Sequence, residues 1–115
     1  MLCYIVAFFA LIIVDLPWLL MMSSSNEAVI RDIQGRKPVY RLAGAIPVYI
    51  ALAYLVCNVK GFVPAFLTGA AVYAVYDFTV YVAFDKYPLW LASADMVWGG
   101  VLFVIVSWLL KKLKL

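Results

Sequence analysis

Four long apolar runs constrain this chain more than any other feature of its sequence. They cover residues 2–22, 42–59, 62–84 and 89–110. A helix of about 20 apolar residues is what the hydrocarbon core of a bilayer requires. Because four such spans use nearly all of the 115 residues, we expect a single membrane domain and no large soluble lobe. The sequence therefore predicts an all-α fold, a four-helix transmembrane bundle formed by residues 1–115.

The composition agrees with a membrane environment and narrows the chemistry. Apolar residues make up 69% of the chain and charged residues 13%, and the mean hydropathy is +1.07. Soluble domains are about half apolar and a quarter charged. Histidine is absent, which excludes imidazole-based zinc and haem sites and removes the commonest catalytic base. We therefore expect no bound metal or cofactor, no enzyme activity and no nucleic-acid partner; membrane lipid is the expected partner.

The first apolar run is interrupted only by Asp15 and Pro17. A cleaved signal peptide is the alternative to a span, but the run lacks a basic n-region and an A-x-A-like cleavage site. Cys3 and Cys57 fall near ends of the first two spans that share one membrane side. A disulfide between them is geometrically conceivable, but we expect the two cysteines to pack as ordinary apolar side chains.

Residues 23–41 form the one polar segment of any length. Ser24 and Glu27 have the spacing of a capping box, and Gly35 follows as a helix stop. The pattern predicts a short amphipathic helix at the membrane interface between spans one and two. Its basic residues would contact lipid head groups or dock a protein partner: Arg31, Arg36, Lys37 and Arg41. The alternative is a solvated connection with basic anchors.

Small residues and terminal lysines add two further expectations. Gly69 in the third span, and Gly99 and Gly100 in the fourth, favour close approach of these helices. The lysines at positions 111, 112 and 114 follow the fourth span directly. They favour cytoplasmic termini, although the basic residues divide four against five between the two membrane sides.

Asp15, Asp77 and Asp95 lie inside the apolar runs, where an unpartnered carboxylate is costly. Span limits and a rise of about 1.5 Å per residue place all three roughly 10 Å below the same membrane face. We call them the aspartate layer. Tyr49 falls at the same level and can supply a phenol donor. Because three carboxylates cannot all be charged at close quarters, we expect at least one to be protonated near neutral pH.

Aromatic and polar side chains surround the predicted layer. Tyr76 and Thr79 flank Asp77, and Trp18 and Trp98 each follow an aspartate by three residues, on the same helix face. An acidic and aromatic environment suits a small cationic ligand. The alternative is that the aspartates are hydrogen-bonded cross-braces that select one packing of the helices, each contributing about 0.5 to 2 kcal/mol.

Three motifs resemble those of the family of small four-span membrane proteins catalogued as domain of unknown function 2177. The family reads Y-D-L-T-N, W-P-L and D-M-A-W-G, which residues 76–79, 87–89 and 95–99 resemble; Asp15 and Trp18 match its first-span aspartate and tryptophan. The resemblance implies a four-helix membrane architecture and recurrent aspartates, but no activity or ligand. Family members occur in bacteria and in large DNA viruses, which implies that a virion internal membrane is one location to consider.

The chain departs from the family pattern at two positions. Val80 stands where the family has asparagine, and Tyr87 where it has tryptophan. One polar partner of the family's layer is therefore missing. If that asparagine serves binding or transport, this chain has kept the fold without the activity.

Two functional classes follow, and the sequence favours the first. The first is a structural, assembly or partner-docking membrane component, with a protein partner at residues 23–41. The alternative is a proton-linked or cation-linked transporter or small-ligand binder, working as an oligomer and using the aspartate layer; small multidrug resistance transporters are analogous in design only. An intramembrane aspartyl protease is disfavoured because the chain has no G-x-G-D motif.

Overall fold

The structure, a computed structural model, describes residues 1–36 and 42–115. Within these ranges the chain forms helices and turns and no strand, which confirms the all-α prediction. In the described part of the chain, three helices are long and apolar enough to cross a membrane, and a fourth apolar helix, α3, has 14 residues. The helices are α1 (Leu2–Met21), α2 (Ser23–Gln34), α3 (Ala45–Asn58, after a 3-10 turn at Leu42–Gly44), α4 (Phe62–Ala83) and α5 (Leu89–Lys112).

The helices α1 and α2 are joined through a single residue, Met22. Its backbone N–H donates to the Trp18 carbonyl, and its carbonyl accepts from the Asn26 N–H, both at 2.9 Å. The predicted capping box of Ser24 and Glu27 is therefore wrong. The helical ladder already satisfies the donors that such a cap would serve, and no side-chain cap is formed at the start of α2.

The end of α2 agrees with the sequence prediction. Gly35 closes the helix with φ of 77°, a left-handed conformation that glycine adopts without a Cβ penalty. Val29 is buried and Ile33 packs beside it, so the apolar face of α2 rests on the rest of the molecule against Leu91 of α5. The amphipathic helix predicted for this segment is thus present.

Close approach of α4 and α5 depends on glycines. A Cβ at Gly69 would collide with the backbone carbonyl of Gly99, and a Cβ at Gly100 would meet the ring of Phe66 at 2.6 Å. Real Cβ atoms do not come this close, so a side chain at Gly69 requires a shift of the helix backbones, and one at Gly100 requires the Phe66 ring to move. The predicted packing role of these glycines is confirmed.

Antiparallel packing of α1 and α3 is fastened at one end by a disulfide between Cys3 and Cys57, whose Cα atoms are 6.2 Å apart. The expectation that these cysteines pack as free apolar side chains is wrong. The reason is geometric: the start of α1 and the end of α3 lie side by side, within the range of Cα separations that a disulfide spans.

The apolar core fills the end of the molecule that carries both chain termini. It combines the first halves of α1 and α4 with the second halves of α3 and α5. Its buried members are Ala7, Leu11, Leu52, Ala53, Val56, Ala65, Leu102, Phe103, Val106 and Leu110. At the opposite end α3 and α4 make few contacts, and a cavity lies between them.

Candidate functional site

A cavity of about 760 Å³ occupies the end of the molecule opposite the termini. Helices α1 to α5 all contribute to its wall, and the side chains of Asp15, Asp77 and Asp95 line it together. The three aspartates that the sequence groups in one layer therefore line one cavity. Most other lining residues are aliphatic or aromatic, among them Leu19, Leu20, Val48, Leu52, Val72, Tyr73, Val80, Phe84 and Leu91.

Asp15 has a donor on each carboxylate oxygen. The Tyr49 hydroxyl of α3 donates to Oδ2 at 2.6 Å, and the Trp98 indole of α5 donates to Oδ1 at 2.7 Å. The side chain is 4% exposed, so both bonds are protected from competing water. Asp15 therefore ties α1 to two neighbouring helices and fits the cross-brace interpretation.

Asp15, Trp18, Asp95 and Trp98 form a reciprocal arrangement that we call the indole–aspartate clasp. The Trp98 indole donates to Asp15, and the Trp18 indole donates to Asp95 Oδ1 at 3.2 Å. The two indole rings stack with centroids 5.1 Å apart and planes within 6°. Each helix carries an aspartate followed three residues later by tryptophan, and because α1 and α5 are antiparallel, each tryptophan reaches the aspartate of the other helix.

Asp77 differs from Asp15 because only one of its oxygens has a donor. The Tyr87 hydroxyl donates to Oδ1 at 2.6 Å. Oδ2 is buried and accepts no hydrogen bond from any residue that the structure describes. The side chain is 1% exposed, and a buried polar atom without a partner costs about 1–3 kcal/mol.

The Asp95 carboxyl group lies beside the Asp77 carboxyl group, and both residues line the cavity. Two carboxylates at this range accept but cannot donate, so the contact becomes favourable only when one of them carries a proton. Asp95 is half-buried, unlike Asp77, and so stands at the more accessible side of the pair. The pair can take up a proton, or a cation that donates hydrogen bonds to both groups.

Tyr87 is a site residue that the sequence interpretation missed, because a tyrosine at the end of an apolar span is most often an interfacial anchor. It lies in the turn between α4 and α5, where the chain reverses and returns over the last turns of α4. Burial, and secondarily the Asp77 carboxyl group, raises the pKa of the Tyr87 phenol above its ordinary value. The phenol is therefore protonated at neutral pH and is available as a donor. One sequence signal was available: Tyr87 can donate a hydrogen bond, and it lies in a tight turn only ten positions after Asp77.

The remaining predicted residues are divided between the cavity rim and the outer surface. Tyr76 lines the cavity but is 69% exposed, and it makes no hydrogen bond to an aspartate. Thr79 is exposed and outside the lining, because two residues rotate it by about 200° from Asp77 around the helix. Arg31 and Arg36 are exposed at the end of α2. The predicted contacts of Lys37 and Arg41 lie outside the described residues.

The ionisable side chains of the cavity are all acidic or phenolic among the described residues. Among the described residues that line it, the ionisable groups are three aspartates and four tyrosines, and none is lysine or arginine. An anionic ligand would meet uncompensated carboxyl groups, whereas a cationic or donor-bearing ligand would pair with them.

Similarity to a known protein family extends over nearly the whole chain. No curated protein and no solved structure shows significant similarity to it. One family model, described as Predicted membrane protein (DUF2177), matches residues 1–110. The match covers the aspartate layer, the clasp and all five helices apart from the end of α5. The chain therefore belongs to the DUF2177 family of predicted membrane proteins.

Proposed function

We propose that this chain crosses the membrane four times, with α3 as the second span. The 14 residues of α3 rise about 21 Å, and the three-residue 3-10 turn before it adds about 6 Å. The sum approaches the hydrocarbon thickness of about 30 Å. Support comes also from the contacts of α3 with α1, because the Cys3–Cys57 disulfide and the Asp15–Tyr49 bond hold the two helices side by side at well-separated levels.

We propose that the protein binds a small ligand inside the membrane, at the Asp77–Asp95 pair. The observation that carries this proposal is the carboxyl group of Asp77, a residue that lines the 760 Å³ cavity and whose buried Oδ2 has no donor among the described residues. A ligand donor at this atom would satisfy it. The cavity volume is typical of small-molecule sites, which are mostly apolar with a few converging polar groups. This is a binding or transport role and not an enzymatic one.

We propose further that binding is linked to a proton. Without ligand, one proton shared by Asp77 and Asp95 would supply the missing donor. Among the described residues, the other titratable groups that line the cavity with this pair are Asp15 of α1, Tyr49 of α3, Tyr73 and Tyr76 of α4, and Tyr87 of the turn; the described part of α2 adds none. Because all of these are neutral or acidic, a ligand cation that enters the site would favour release of the shared proton.

Proton release measured on purified protein tests the proposal. Wild-type protein in weakly buffered detergent is titrated with organic amines of increasing alkyl chain length, and the protons released per protein are counted. We expect release near neutral pH in the wild type and in Asp85→Asn, an exposed-turn control. Loss of release in Asp77→Asn and Asp95→Asn is also expected. Equal release by all four proteins, or none by the wild type, would reject a proton-linked site.

A structural or assembly role is the second candidate, and the clasp favours it. Asp15 has both oxygens paired, and with the clasp it links three helices. The exposed basic end of α2, with Arg31 and Arg36, suits lipid head groups or a docked partner. If Asp77→Asn only lowers thermal stability and never alters proton release, this second role is favoured over binding.

We propose that the end carrying both termini faces the oxidising side of its membrane. The Cys3–Cys57 disulfide lies at that end, and disulfides persist in oxidising compartments. This orientation reverses the expectation from the terminal lysines. After mild reduction of intact cells, a membrane-impermeant maleimide should label the wild type but not the Cys3→Ser, Cys57→Ser double variant. Labelling only after permeabilisation would place the termini in the cytoplasm.

A further inference from the structure

We infer that the ligand is an amphipathic amine which enters the cavity from the lipid phase, between α3 and α4, and places its ammonium group at Asp77 and Asp95. The inference rests on the binding role proposed above and adds the chemical class of the ligand and its route of entry. Three features carry it: the position of the cavity mouth, the chemistry of the inner end and the apolar character of the wall.

The cavity opens on the apolar outer surface of the molecule. Leu20, Val48 and Tyr76 line it, and they are 67%, 54% and 69% exposed respectively. They stand on α1, α3 and α4, whose outer surfaces expose many large apolar side chains, while Ser23 and Asn26 of α2 also line the cavity. In a bilayer such a mouth faces lipid chains rather than water, because the surrounding helix surfaces are suited only to hydrocarbon.

The carboxyl groups of the cavity suit a cationic donor. Asp77 Oδ2 lacks a donor among the described residues, and Asp95 lines the cavity beside Asp77. An ammonium group has three donors and no acceptor, and it can contact both carboxyl groups at once. One proton leaves the pair for each ammonium that enters, so the charge of the site changes little.

The wall between mouth and carboxyl groups suits an alkyl chain. Leu52, Val72 and Val80 face the cavity and offer no hydrogen bonds to a polar ligand. Burial of each methylene in such surroundings contributes about 0.8 kcal/mol. An amine with an alkyl chain therefore gains from the wall as well as from the head group, whereas a short amine gains only from the head group.

Binding of four matched probes to protein in phosphatidylcholine nanodiscs tests the class of ligand. The probes are dodecylamine, ethylamine, dodecanol and dodecanoate, with empty nanodiscs subtracted in calorimetric titration. We expect dodecylamine to bind the wild type at least about tenfold more tightly than it binds Asp77→Asn or Asp95→Asn, since a charge-assisted hydrogen bond is removed. The other three probes are expected to bind weakly or not at all.

The outcomes separate this inference from the proposed site. Ethylamine binding that matches dodecylamine and depends on Asp77 would overturn lipid-phase entry while leaving the site intact. Dodecanol binding that depends on Asp77 would overturn the amine class alone. If no probe distinguishes the wild type from Asp77→Asn and Asp95→Asn, the proposed site itself fails.

The entry route is tested by a substitution at the mouth. Val48→Trp places a large side chain where the cavity opens, and it should weaken dodecylamine binding about tenfold. Ile46→Trp is the matched control, because Ile46 is 55% exposed on the same helix and does not line the cavity. Equal affinity of Val48→Trp and Ile46→Trp, with both proteins folded, would contradict entry between α3 and α4.

Discussion

The two hydrogen bonds of the indole–aspartate clasp should contribute unequally to stability. The Trp98 bond to Asp15 is 2.7 Å long and ends on a side chain that is 4% exposed. The Trp18 bond is 3.2 Å long and ends on the half-buried Asp95. Short bonds to protected carboxylates are the stronger ones, while interhelical bonds in membranes average about 0.6 kcal/mol and reach about 2 kcal/mol.

Substitution by phenylalanine removes each indole donor and keeps an aromatic ring for stacking. We expect Trp98→Phe to lower the free energy of unfolding by about 1–2 kcal/mol, and Trp18→Phe by about 0.5 kcal/mol. Reversible unfolding in mixed micelles measures both. Trp90→Phe is the control, because Trp90 is 54% exposed and makes no hydrogen bond among the described residues. Equal losses for the two clasp variants, or a larger loss for Trp18→Phe, would refute the ranking by length and burial.

Three further predictions concern packing, the disulfide and the turn. Gly69→Ala should lower the melting temperature measured in detergent, because the added methyl group collides with a backbone carbonyl. Gly44→Ala is the control, since Gly44 has open space around it, and equal melting temperatures for the two variants would contradict the packing role. Cys3→Ser should lower the free energy of unfolding by up to about 4 kcal/mol, since the 54-residue separation closes a long loop, and an unchanged value would argue against the disulfide. Tyr87→Phe should lower the free energy of unfolding by about 1–3 kcal/mol, because Asp77 loses its hydrogen-bond donor. Tyr87→Trp restores an N–H donor and should recover part of this loss in the same unfolding assay.

The pKa of Tyr87 gives that third prediction a pH dependence. Because the folded-state pKa is raised, the contribution of the Tyr87 phenol is fully present below the unfolded pKa of about 10 and is lost only at higher pH. Unfolding free energies measured from neutral to strongly alkaline pH should therefore fall less steeply in Tyr87→Phe than in the wild type. Parallel curves would contradict the assignment.

Much of the fold could be predicted from the sequence, because it depends on the lengths of the apolar runs and on positions along each helix. Apolar run length sets the helices, and the observed bounds lie within two residues of the predicted ends for α1, α4 and α5. Depth along a helix follows from the rise per residue, which predicts that Asp15, Asp77 and Asp95 lie near one another, and all three line one cavity. Gly69 and Gly99 were identifiable because only glycine permits such close helix approach.

The features that the sequence did not predict depend on how each helix is rotated about its axis and on which helices are neighbours. One sequence does not specify either. Depth places Trp98 near Asp95 and Asp15 alike, but only the rotation of α5 selects Asp15 as its acceptor. Thr79 shares the level of Asp77 and still faces outward. The Cys3–Cys57 disulfide and the divergence of α3 from α4 likewise follow from which helices are neighbours.

The most direct test of the shared proton is infrared spectroscopy of the carboxyl groups at neutral pH. The wild type should show the carbonyl stretch of one protonated carboxylic acid that is protected from water. The band should be lost or shifted in Asp77→Asn and Asp95→Asn and retained in Asp15→Asn, because Asp15 has two donors and needs no proton. Absence of the band from the wild type, or its loss only in Asp15→Asn, would contradict the account.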